Sequence, residues 1–142
     1  MTVIAWDGKT LAADKQATQY SQKQVVTKIF KLDDGSLAAI CGQAVYGLQI
    51  IEWLKNAGDY PNNKATNEDS YAEVLHIKNG KLYKYSQLET PMLIEQDIFA
   101  MGSGQDYAIA AMHCGKSAKE AVEITNMYCS DCGIGVDVIA YK

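Results

Sequence analysis

The sequence predicts an α+β fold, on three observations. Short apolar runs are joined by turn dipeptides, Asp7-Gly8 near the amino terminus and Asn79-Gly80 mid-chain, and both are hairpin signals. Apolar residues recur at helical spacing from Tyr46 to Leu54, and helices are also expected over 104–114 and 117–128. A run at 136–140, apolar except for Asp137, reads as a last strand. Periodicity supports no finer class than α+β. The 142 residues, 48% of them hydrophobic, suffice for one well-buried domain over 1–142.

In chain order, Val3-Ile4-Ala5-Trp6 reads as a strand, Asp7-Gly8 as a two-residue turn and Thr10-Leu11-Ala12-Ala13 as its partner. That hairpin brings Asp14 toward the chain terminus. Residues 25–32 read as a further strand, with Val26, Lys28, Phe30 and Leu32 on one face and Thr27, Ile29 and Lys31 on the other. A lysine among apolar neighbours needs a partner, because an unpaired buried ammonium is costly. Asp14 is the candidate; an edge-strand lysine in water is the alternative.

Asp33-Asp34-Gly35 is a turn signal, and residues 36–41 return as a buried strand that Gly42 closes. The helix that follows has an apolar stripe of Tyr46, Ile50, Trp53 and Leu54, widened by Leu48 and Ile51. It ends at Asn56-Ala57-Gly58, and residues 58–67 are a polar loop containing Pro61. Residues 71–78 and 81–86 flank Asn79-Gly80 as hairpin strands, with His76 as a strand residue. Residues 91–95 approach a strand at 97–101. Ser103 reads as the N-cap of the next helix, with Asp106 near N3 and a small-residue face of Ala108, Ala110 and Ala111. Ser117 and Glu120 form a capping box for the last helix.

Charge and composition narrow the function. The net charge is −4 and all thirteen basic residues are lysine, whereas a phosphate- or nucleic-acid-binding surface favours a basic stripe with arginine forks. No apolar run reaches the length of a membrane span, and no signal-peptide pattern opens the chain, so a soluble, cytoplasmic protein is expected. Cys41, Cys114, Cys129 and Cys132 are then expected as thiols. The pair Cys129 and Cys132 forms a C-x-x-C, but it lacks the second pair typical of a zinc site. It also follows a helix, whereas a helix N-terminus is what stabilises a thiolate. No metal or cofactor is expected. Neither histidine lies in a nucleophile context, which leaves a serine–histidine–aspartate triad without support.

The chemistry-bearing stretch is the amino terminus. Thr2 is a small second residue of the kind that tolerates removal of Met1. Once exposed, it carries a hydroxyl and an α-amine on one residue, and such an amine can activate the hydroxyl as a nucleophile. An α-amino group has a reference pKa of roughly 7.7–8.0, so much of it can act as a base near neutral pH. The alternative is that Thr2 merely begins a strand.

Thr2-Val3-Ile4, the block from Leu11 through Asp14 to Thr18, Lys28, and Ala39-Ile40-Cys41-Gly42 resemble successive blocks of the proteasome β-type family, with HslV as a familiar member. Met101-Gly102-Ser103-Gly104 is similar to the family's strand–GSG–helix junction, and residues 130–135 to its returning turn. The resemblance runs in order over nearly the whole chain. It implies a four-layer αββα sandwich of the N-terminal nucleophile (Ntn) hydrolase type, trimmed in one helical layer where the family carries a second helix and this chain has the 58–67 loop.

It also implies a threonine-type peptidase. Thr2 matches the nucleophile, Lys28 the active-site lysine, Asp14 the acidic residue that pairs with it, and Gly42 the oxyanion-hole N–H. Ser103 and Asp131 match residues that orient the amine, while a further family serine is replaced by Ile134. The implied partners are a peptide or unfolded protein substrate, further copies of the chain in a ring or stacked rings, and an ATP-dependent unfoldase. The rival is a catalytically silent proteasome-like assembly or binding module, since a Thr2 nitrogen still bonded to Met1 is no base.

Overall fold

A computed structural model describes residues 2–61 and 71–141. Its first six strands are β1 (Ile4–Trp6), β2 (Thr10–Asp14), β3 (Gln16–Gln19), β4 (Gln22–Val25), β5 (Ile29–Lys31) and β6 (Leu37–Gly42), followed by helix α1 (Ala44–Asn56). Then come β7 (Ala72–Lys78), β8 (Lys81–Tyr85), β9 (Met92–Ile94), β10 (Phe99–Met101), α2 (Gln105–His113), α3 (Ala118–Tyr128) and β11 (Val136–Ala140). The chain divides into two compact units, Met1–Phe30 with Gln96–Lys142, and Lys31–Glu95. The α+β class holds.

The first unit is built on an antiparallel sheet in the order β10-β1-β2-β11. The β1–β2 hairpin forms with Trp6 opposite Leu11 and Ile4 opposite Ala13. Its turn is longer than the two residues expected, because the Asp7 carboxylate accepts N–H bonds from Lys9 at 2.9 Å and Thr10 at 2.7 Å. Those bonds give the backbone a local alternative to the tighter turn. The other Asp7 oxygen accepts from Ala118 N at 2.9 Å, at the start of α3. The core beside α2 and α3 is rich in small residues, with Ala5, Ala12, Ala108, Ala118 and Ala121 around Val3, Met112 and Val122. Small side chains let helix and sheet backbones approach, so burial here depends on close contact rather than bulky residues. The capping box of α3 is present, with Glu120 N to Ser117 Oγ at 3.2 Å and Ser117 N to Glu120 Oε1 at 3.0 Å.

The single strand expected over 25–32 does not form. Val25 ends β4, which pairs with β3 in an exposed hairpin, and β5 begins only at Ile29. Val26 donates its N–H to Lys15 O at 2.8 Å, and residues 26–28 carry no ladder. Alternation consequently fails: Ile29, assigned to the face opposite Lys28, is itself buried. The β3–β4 hairpin carries no period-two apolar pattern, because its strands are polar and, Gln16 apart, largely solvated.

The second unit holds the strand order β6-β7-β8-β9, with α1 packed on β6 and β7. Asn79 and Gly80, at φ 54° and 75°, make the expected turn between β7 and β8, since both positions need the left-handed region. Gln43 caps α1, its side chain accepting from Tyr46 N at 2.7 Å. Tyr46, Ile50 and Ile51 are buried as expected, whereas Leu48 is 45% exposed, so the buried stripe is narrower than its apolar residues suggest. The approach to the 97–101 strand is two elements: β9 pairs with β8, and β10 with β1. Residues 62–67 of the expected polar loop lie outside the described residues. No helix among the described residues is long and apolar enough to cross a membrane.

Candidate active site

Four of the residues singled out in the sequence meet in the first unit. Thr2 leads into β1, Asp14 ends β2, Lys28 precedes β5, and Ser103 follows β10. Lys28 Nζ donates to Asp14 Oδ1 at 2.8 Å and to Thr2 Oγ1 at 3.2 Å. Asp14 has no solvent exposure, and Thr2 and Lys28 are buried, which rules out a solvated edge-strand lysine. A buried ion pair persists where further hydrogen bonds offset the loss of water. Asp14 has them: Val3 N reaches Oδ1 at 3.1 Å, while Gln16 N at 3.2 Å and Gly133 N at 3.1 Å reach Oδ2.

The Thr2 backbone is anchored separately. Its N–H donates to Ser103 Oγ at 3.1 Å, and its carbonyl accepts from Gly104 N at 3.1 Å. Gly102 makes that approach possible. It lies at φ +97°, and a Cβ there would overlap the Thr2 carbonyl. Ser103 is therefore not the N-cap expected. Gly104 occupies the cap of α2 without a side-chain bond, and the serine hydroxyl is turned to Thr2.

Asp131, exposed in the turn after α3, is not hydrogen-bonded into this cluster among the described residues, and Gly42 belongs to the other unit. The same turn delivers Gly133 N–H to Asp14 instead. It also holds Ile134 at φ 59°, a left-handed conformation costly for a β-branched residue. Gly42 belongs to the second unit, at the end of β6 with φ +94°, where a Cβ would stand 2.5 Å from Tyr71 O. It borders a cavity of about 470 Å³ lined also by Cys41, Tyr71, Glu73 and Ser86.

The backbone donors on Asp14 are the site features that residue types did not announce. Cys132 is another. Its buried thiol packs under Gly104, whose missing Cβ would lie 3.1 Å from Sγ, and it sits 3.6 Å from Cys129 Sγ. Burial, and then the nearby Asp14 charge, push this thiol up to about 12. No group of three or more metal-ligating side chains occurs among the described residues. The arrangement presents a hydroxyl beside a cation, with that cation oriented by a fully bonded carboxylate.

No family model matches the sequence, and no curated protein matches it. Solved structures do. BPH of Thiobacillus denitrificans in complex with epoxomicin is similar at 20% identity and TM-score 0.70, with 100% of each chain covered. Another structure of that BPH is 19% identical at TM-score 0.68, covering 99% of this chain and 98% of its own. Eukaryotic HslV from Trypanosoma brucei is 20% identical at TM-score 0.71, covering 98% of this chain and 97% of its own. The chain shares the HslV-type fold over its full length.

Proposed function

We propose that the chain is an N-terminal-threonine amide hydrolase, a peptidase of the proteasome and HslV kind, acting once Met1 is removed. The observation that carries the reading is the Lys28 ammonium shared between Thr2 Oγ1 and the buried Asp14 carboxylate. A cation at the hydroxyl favours its alkoxide-like form, and the freed α-amine takes the proton directly or through water. Thr2 Oγ attacks a peptide carbonyl, and water later cleaves the acyl-enzyme. Ser103, which already accepts from Thr2 N, orients the amine. Gly42 N–H serves the oxyanion, an interaction that can be worth roughly 3–4 kcal/mol for one well-placed donor. The same reading takes the helix-backed sheets as a trimmed four-layer αββα sandwich. It makes the protein a soluble homo-oligomer of the cytoplasm, in a ring or stacked rings, fed with peptide or unfolded protein, an ATP-dependent unfoldase serving as partner.

The test is a peptide epoxyketone, a warhead that closes a ring through the hydroxyl and the free amine of one residue. Protein verified by mass to lack Met1 gains the inhibitor mass on Thr2, and Thr2→Ser still reacts. Thr2→Ala and the Met1-retaining form do not. Mature protein that resists a panel of such probes and cleaves no peptide overturns the reading in favour of a non-catalytic module. Equal labelling of the Met1-retaining form also overturns it.

A further inference from the structure

The proposed hydrolysis makes no use of the two thiols at the end of α3, one of which packs against Gly104. Cys129 is the C-cap of α3 and half-buried, Cys132 is buried three residues on, and Cys132 N–H turns back to Cys129 O at 3.3 Å. That turn puts the two Sγ atoms 3.6 Å apart. A disulfide needs about 2.05 Å, so the two sulfurs are already in contact and closure requires the more exposed Cys129 to move toward Cys132.

The pair is wired to the site at two points. Cys132 Sγ packs against the backbone of Gly104, which holds the Thr2 carbonyl, and the next residue, Gly133, donates its N–H to Asp14. We propose that Cys129 and Cys132 form a reversible modification site: a small-molecule disulfide, such as oxidised glutathione, closes them into an intramolecular disulfide, and the change reaches Asp14 through Gly133. This stands on its own, whether or not Thr2 is a nucleophile.

The chemistry balances as two exchanges. Cys129, after losing its proton to solvent, attacks the small disulfide, forming a mixed disulfide and expelling one thiolate. Cys132, deprotonated in turn, attacks Cys129 Sγ, forming the protein disulfide and expelling the second thiolate. Two protein thiols are oxidised and one small disulfide is reduced to two thiols, the released protons being taken up by the leaving groups. Burial and the Asp14 charge keep Cys132 protonated, making the second exchange the slow one, faster as pH rises. A setting hostile to thiolates also withholds the stabilisation that makes a reduced dithiol favourable. The pair therefore closes slowly and resists reopening, unlike the active pair of a disulfide oxidoreductase.

The experiment uses the full chain equilibrated over a series of oxidised-to-reduced glutathione ratios, quenched with acid and alkylated. Of the four cysteines, two are lost to alkylation together, and peptide mapping assigns the link to 129 and 132, while the exposed Cys114 carries at most a glutathione adduct and enters no intramolecular link. Closure accelerates between pH 7 and pH 9, and the amide signal of Gly133 shifts on oxidation. Cys129→Ser abolishes the paired loss and leaves Cys132 unreactive. Full alkylation at every ratio, or a Cys129 adduct that never resolves at high pH, overturns the site. A disulfide that leaves the Gly133 amide unmoved overturns its coupling to Asp14.

Discussion

Lys28 Nζ lies 2.8 Å from Asp14 Oδ1, the oxygen of a carboxylate with no exposure to solvent. The two residues are fourteen positions apart and lie on either side of a solvated hairpin, and each limits what the other can lose.

Lys28→Ala strands the Asp14 charge. Breaking a buried pair costs roughly 3–5 kcal/mol. The loss is expected near the low end, about 3 kcal/mol, because Val3, Gln16 and Gly133 still donate to the carboxylate. A denaturant midpoint unchanged from wild type rules out the buried pair, whatever happens to activity.

Ser103→Ala separates its two readings. A helix N-cap lost to alanine costs typically about 1 kcal/mol of stability. With Gly104 at the cap, the variant instead loses the hydrogen bond to Thr2, and mature Thr2 reacts with an epoxyketone more slowly whatever the shift in midpoint. Losing one hydrogen bond of about 0.5–1.5 kcal/mol corresponds to roughly a two- to tenfold slower reaction. A lowered midpoint with an unchanged labelling rate restores the capping role.

Gly102→Ala drives a Cβ into the Thr2 carbonyl and strains a residue at φ +97°. The left-handed backbone alone costs roughly 1–2 kcal/mol, and the overlap adds to it. Destabilisation by at least that amount, with loss of Thr2 labelling, is expected in denaturant melts and mass spectrometry. Gly35→Ala, at φ +86° with open space around it, isolates the backbone contribution and leaves labelling intact. Equal effects of the two changes on labelling contradict the contact.

His76 supplies a pH dependence in the second unit. Its Nε2 sits 3.0 Å from Ser36 Oγ, and burial lowers its pKa below the usual 6.5. The unfolded chain then binds the proton first, so the contribution is complete above about pH 6.5 and is lost as pH falls toward the folded value. Asp34, held at about 2 mainly by the Ser36 hydroxyl and N–H, acts lower, losing its contribution between pH 3.8 and about 2. Melting midpoints of wild type and His76→Gln, compared from pH 8 to pH 5, should converge as pH falls. Parallel curves exclude His76 as the source.

The sequence by itself determined whatever is written in local chemistry. Asn79-Gly80 demands a tight turn because both positions need positive φ, and Ser117 with Glu120 closes a capping box within one helical turn. Thr2, Asp14, Lys28 and Ser103 were legible as residue types in a familiar order, and the described geometry brings those four together. Only the tertiary structure decided how they are held. Lys28 is buried by a break in the strand rather than by alternation along it, because Val26 gives its N–H to Lys15. Ser103 turns to Thr2 because Gly102 admits the chain there. Gly133 reaches Asp14 across 119 positions through a backbone N–H, which every residue but proline possesses. A donor common to nearly all residues leaves no mark in a sequence; its position in space is what gives it a role.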